Sequence, residues 1–153
     1  MGPTVRRTVD AEEGLQLVAE IRSLVPRHRS ALIAITGIDS CGKGYLASRW
    51  SQQLQKRGLR VAVIGVDGWL NLPRARFGGT DPADHFYLHA LRFAEMFSQL
   101  VLPLKNQRSI HVEADFTEEA AAAYRREIYQ FDQVDVILLE GNLFVETCFS
   151  RPL

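Results

Sequence analysis

Cysteine is nearly absent, with Cys41 and Cys148 the two in a chain of 153 residues. Two thiols in no metal-ligand spacing exclude a zinc module and a disulfide framework. Net charge is missing as well, since 18 basic side chains face 18 acidic ones. No global field therefore draws the chain to nucleic acid or to an anionic membrane. No apolar run approaches the roughly 20 residues of a membrane span. The opening MGPTVRRTVDAEEG lacks the apolar core of a signal peptide. Gly2 makes no lipidation signal, because the sixth residue is Arg6 where Ser or Thr is required. Internal repeats and low-complexity linkers are also lacking. These absences point to a cytoplasmic protein with neither nucleic acid nor membrane as partner.

The composition that remains, 46% hydrophobic and 24% charged, is that of a globular protein. The length suits a single domain spanning residues 1–153. The spacing predicts a helix over 10–25, with Asp10 and Glu13 as a capping box and Leu15, Leu17, Val18, Ile21, Leu24 and Val25 as its apolar stripe. ALIAIT (31–36) reads as a strand buried on both faces. A glycine-bearing turn follows over 37–42, then a helix from Lys43 to about Arg57, stopped by Gly58. RVAVIGV (60–66) is a second buried strand, with a loop rich in Gly, Pro and Arg after it from Gly68 to about Asp84. Helical spacing returns over 84–100, and Pro103 is expected to break it. Ser109 to Ala114 suits a short strand. Asp115 and Glu118 resemble a further helix start before AAAAYRREIY. DVILLE (135–140) is a third buried strand. Strand, helix, strand, helices, strand is the order of a parallel α/β sheet with about three core strands.

Gly37-Ile38-Asp39-Ser40-Cys41-Gly42-Lys43 matches G-x-x-x-x-G-K, the phosphate-binding loop, between a buried strand and an amphipathic helix. Glycines let the backbone turn its N–H groups toward phosphate oxygens, and the helix aims its positive end at the same place. Lys43 would reach the β- and γ-phosphates and offset charge during transfer. The nucleotide-binding candidates are Gly37, Ile38, Asp39, Ser40, Cys41, Gly42, Lys43, Gly44 and Tyr45. The alternative is a Gly-rich turn with a solvated lysine. One position departs from the motif. Gly44 stands where a Ser or Thr hydroxyl would hold Mg²⁺.

Asp67, at the carboxyl end of the second strand, is placed to orient a substrate hydroxyl and accept its proton. Its alternative is a turn aspartate that caps the loop. Glu140 ends the third strand, where an acidic residue holds Mg²⁺ through water; the alternative is an acidic terminus without a role. Arg74 and Arg76 are loop arginines that could meet substrate or phosphate. His85 and His89 share a helix face but lack further metal ligands. Phe86 and Tyr87 read as packing residues.

Four segments together, ITGIDSCGKGYLA, VAVIGVDGWLNLPRARF, DPADHFYLHALRF followed by LVLPL, and DVILLEGNLF, resemble the uridine kinase family and its bacterial uridine kinase-like relatives among the P-loop kinases. The resemblance covers roughly residues 30–145. It implies a P-loop NTPase-type sheet with flanking helices, ATP and Mg²⁺ as cofactors, and phosphorylation of a hydroxyl on a nucleoside or similar small molecule. It makes the aspartate matching Asp67 the catalytic base, with the loop matching Gly37 to Gly44 on the ATP phosphates. Family members continue beyond the glutamate-glycine strand with two more strands and a lid carrying arginines, whereas this chain stops at ETCFSRPL. It is therefore expected to be truncated at the C-terminus, leaving ALIAIT as a sheet edge open to self-association. The other reading is a non-catalytic nucleotide-binding or interaction module derived from a truncated kinase.

Overall fold

The computed structural model describes residues 10–37, 41–76, 90–118 and 120–142. At its centre are three parallel strands, β1 (Ala31–Thr36), β2 (Val61–Gly65) and β5 (Val136–Gly141), in the order β1-β5-β2. The register aligns Ala31 and Val61 with Val136, and Ile35 and Gly65 with Glu140. All three carboxyl ends thus emerge on one side, as a parallel sheet requires.

The strand sequences explain the layering. Successive side chains of a strand face opposite ways. In β5, Val136 and Leu138 join Leu15, Val18, Ala31, Ile35, Ala47 and Leu54 on one face. Ile137 and Leu139 join Ala62, Ile64, Trp69, Met96, Leu100 and Leu104 on the other. Helices α1 (Ala11–Leu24) and α2 (Lys43–Lys56) cover the first face. The second is covered by the helical run 93–107 and a hairpin of β3 (Ile110–Phe116) and β4 (Arg125–Phe131).

Only β5 is buried throughout its apolar run. The expectation of two-sided burial fails for β1, where Ala34 and Thr36 are exposed, and for β2, where Val63 is 40% exposed. Each of these strands pairs only with β5 among the described residues, so helices cover it incompletely. Helix α1 begins as expected, with the Glu13 N–H donating to Asp10 Oδ1 at 2.8 Å. Its stripe is narrower than the spacing suggested, since Leu17 and Leu24 face solvent.

Two predicted elements are corrected. The helical run passes through Pro103: α4 (Phe93–Met96) widens into a π turn (Phe97–Val101) and resumes as α5 (Leu102–Gln107). A proline lacks the N–H for an α-helical bond and crowds the preceding turn; a wider turn just before it accommodates both. The first part of that run, 84–89, lies outside the described residues. Among the described residues, no helix follows Asp115 where one was expected. Asp115 and Phe116 belong to β3, and Arg125–Phe131 pairs with it antiparallel, Phe116 opposite Arg125 and Ile110 opposite Phe131. Alanines favour a helix intrinsically, but Glu127, Tyr129 and Phe131 alternate with more exposed residues, and Tyr129 stacks on Trp69 with centroids 5.9 Å apart. Burial at period two overrides propensity here.

At the opposite end of the sheet Asp135 gathers three elements. It accepts from Arg108 Nη2 at 2.7 Å, Arg22 Nη2 at 3.3 Å and the Arg60 N–H at 2.9 Å. The strands are therefore locked at their amino ends, leaving their carboxyl ends free for chemistry.

Candidate functional site

After β1 the chain turns at Gly37 and enters α2 at Lys43. Gly42 caps that helix with φ 91°, a left-handed conformation that a side chain disfavours. The two long helices begin differently. In α1 the first turn holds an aspartate cap with Glu12 and Glu13, whereas α2 has no side-chain cap bond and no acidic residue there. The positive end of its dipole therefore meets no acidic side chain of its own first turn, which suits an anion there.

Gly37 lies close against Cys41, with Lys43 in van der Waals contact behind it. A Cβ on Gly37 would stand 2.8 Å from Cys41 Sγ and 3.8 Å from Lys43 Cδ, so glycine permits this path. Lys43 Nζ lies 4.0 Å from Cys41 Sγ. Tyr45 is exposed beside the loop. Ile38, Asp39 and Ser40 lie outside the described residues.

Asp67 sits in a 3-10 turn (Val66–Trp69) directly after β2 and is exposed. Glu140 is partly buried at the penultimate position of β5, flanked by two glycines: Cβ atoms on Gly65 and Gly44 would lie 3.5 and 3.9 Å from its Oε1. Burial raises the Glu140 pKa above the ordinary carboxylate range; the charge of Asp67 adds to the rise and that of Lys43 opposes it. The fold thus brings Lys43, Asp67 and Glu140 into one electrostatic neighbourhood, although 97 positions of sequence separate the first from the last in order of chain.

The turn bearing Asp67 is held by a residue that sequence reasoning missed. Arg92 is buried, and its guanidinium donates to the carbonyls of Gly68 (3.3 Å), Leu70 (3.4 Å) and Asp115 (2.7 Å). It lies 4.5 Å from the Tyr124 ring centroid and 5.1 Å from that of Trp69. Tyr124 in turn donates to Asn71 Oδ1 at 3.3 Å. The mouth of the β3–β4 hairpin is thereby tied to the Asp67 turn. An arginine inside an apolar helical stretch was the available signal.

Of the two arginines read as able to meet substrate or phosphate, Arg74 is exposed and Arg76 is buried, both in α3 (Pro73–Arg76). His85, Phe86, Tyr87 and His89 lie outside the described residues.

A magnesium ion, implied by the phosphate loop, prefers oxygen ligands and keeps several waters. Glu140 and Asp67 supply suitable carboxylates; Gly44 supplies no side-chain oxygen. Among the described residues no three metal-ligating side chains cluster. The donors fit a cation that shares its shell with phosphate and water.

Comparison with known proteins agrees with this geometry. A family model described as methylmalonyl Co-A mutase-associated GTPase MeaB matches residues 5–81, just over half of the chain. That stretch holds β1, the phosphate loop, α2, β2 and the Asp67 turn. No curated protein matches. Among solved structures, a possible uridine kinase from Bacillus stearothermophilus aligns with TM-score 0.69 at 18% identity, over 86% of this chain and 71% of that one. A chain assigned as a fructose transport system kinase from Silicibacter sp. TM1040 gives 0.63 at 24%, over 88% and 64%. D-glycerate 3-kinase from Cryptococcus neoformans var. grubii serotype A gives 0.56 at 16%, over 86% and 51%. This chain therefore spans between about half and about 70% of those kinases. A parallel sheet, a phosphate loop and these matches lead to one conclusion: the chain belongs to the P-loop family that the MeaB model describes, with the fold of the uridine kinase-like P-loop kinases.

Proposed function

We propose that this chain binds a nucleoside triphosphate with Mg²⁺ and transfers its terminal phosphoryl group to a hydroxyl of a nucleoside or similar small molecule. The observation that carries the reading is that Asp67 and Glu140 stand at the carboxyl ends of β2 and β5, and that a Cβ on Gly44, the residue after Lys43, would lie 3.9 Å from Glu140 Oε1, at a helix N-terminus with no side-chain cap. In the proposed roles, the backbone of 37–44 cradles the phosphates and Lys43 offsets their charge as the bond to the leaving group loosens. Asp67 orients the acceptor hydroxyl and takes its proton. Glu140 holds the metal, directly or through water. ATP is the donor favoured by the resemblance to uridine kinases, and GTP is the competitor suggested by the family description. The domain is read as a single unit, cytoplasmic in location.

A second reading has its own support in Gly44. A loop without the hydroxyl suits a nucleotide-binding module that does not turn over. One assay separates the two: purified protein with ATP or GTP, Mg²⁺ and a panel of nucleosides and small alcohols. Phosphorylated product that disappears in Asp67→Asn supports the kinase. Nucleotide binding without product on any acceptor supports the module. No affinity for either nucleotide would remove both.

A further inference from the structure

We infer that position 44 governs how strongly the site depends on its cation, and that glycine there makes nucleotide affinity nearly independent of Mg²⁺. The inference rests on the nucleotide-binding reading above and adds to it which residue decides the metal's contribution.

Gly44 is the second residue of α2, directly after Lys43. A Cβ built there meets one described atom within 4 Å, the Oε1 of Glu140 at 3.9 Å. A serine hydroxyl, one bond further out, would have room and would stand beside that carboxylate. The two oxygens would then present adjacent positions to one small cation, the arrangement that an octahedral oxygen-loving ion needs. With glycine, position 44 offers the cation no side-chain oxygen beside Glu140.

The phosphates, by contrast, keep most of what holds them. The N–H groups of α2's uncapped first turn and the Lys43 ammonium act on the anion with or without metal. Removing one protein ligand weakens metal attachment selectively. The consequence is a loop that grips polyphosphate through backbone and lysine, and to which Mg²⁺ adds little.

The test measures dissociation constants for fluorescent ATP and GTP analogues in excess EDTA and in excess MgCl₂. The parent chain is expected to change by less than about threefold between the two buffers. Gly44→Ser is expected to gain about tenfold in MgCl₂ and nothing in EDTA, a change of about 1.4 kcal/mol. Gly44→Ala shares the improved helix propensity but has no oxygen, and is expected to show no magnesium-specific gain. Adding Glu140→Gln to Gly44→Ser should abolish the gain. A parent chain that already tightens tenfold with Mg²⁺, or a serine variant no better than the alanine one, overturns the inference while leaving the proposed function standing. A parent chain that binds neither nucleotide in either buffer overturns the proposed function and the inference with it.

Discussion

Replacing Gly14 with alanine pits two calculable effects against each other. Gly14 lies inside α1, where alanine ordinarily stabilises a helix by about 1 kcal/mol. Here the added Cβ would stand 2.6 Å from Trp50 Cζ2 and 2.9 Å from Cη2, far inside van der Waals contact. The indole cannot simply lean away, because its Nε1–H donates to the Ala11 carbonyl at 3.0 Å. Moving the ring sacrifices that bond, about 1 kcal/mol, and overpacking of this kind costs about 1–3 kcal/mol. Steric cost exceeds propensity, so the variant should be less stable by about 1–3 kcal/mol. For a chain of this length each kcal/mol lowers Tm by about 2–4 °C. Urea unfolding followed by circular dichroism measures the change. Gly44→Ala is the control, since its Cβ is free of steric conflict among the described residues, and it should be neutral or stabilising. Gly14→Ala matching the stability of that control would refute the packing account of α1 against α2.

Three further outcomes follow from the same structure. Asp135→Ala removes the carboxylate paired with Arg22 and Arg108, both mostly shielded from solvent and left with backbone carbonyls alone, and should cost about 2–3 kcal/mol in denaturant melts; a loss under 1 kcal/mol would mean that the three elements hold without it. Because the Glu140 pKa is raised on folding, the native state holds that proton more tightly than the unfolded chain, so its contribution to stability falls as pH rises through the raised value. Glu140→Gln should therefore be more stable than the parent at neutral pH, with the difference shrinking toward about pH 4, and unchanged melting at both would contradict the assigned burial and repulsion. On the proposed function, Asp67→Asn should leave nucleotide affinity within about threefold while abolishing phosphorylated product, because the residue proposed as base is exposed in its turn.

Local chemistry was the most legible part of this chain. The phosphate loop is contiguous, and its strand-loop-helix frame depends on neighbours in sequence: apolar residues over 31–36, glycine where φ is positive at Gly42, and the helix that starts at Lys43. The capping role of Asp10 is local for the same reason. The stretch from Asp115 to Tyr129 reads as a helix because alanine's propensity is visible in sequence, whereas the buried surface around Trp69 that draws Tyr129 and Phe131 into a strand is not. The passage through Pro103 likewise depends on a π turn, one residue wider than an α turn, which apolar periodicity does not reveal.

By itself, then, the order of residues determined a phosphate loop between β1 and α2, parallel strands of known extent, and carboxylates at two of their ends. Those properties arise within short spans of chain, where backbone geometry and side-chain type act directly. Only the tertiary structure decided that β5 lies between β1 and β2, that Glu140 reaches past Gly65 toward Gly44, and that Arg92 clamps the Asp67 turn to a hairpin. Each of these joins segments far apart in sequence, and the burial and charge that favour them exist only once the layers have packed.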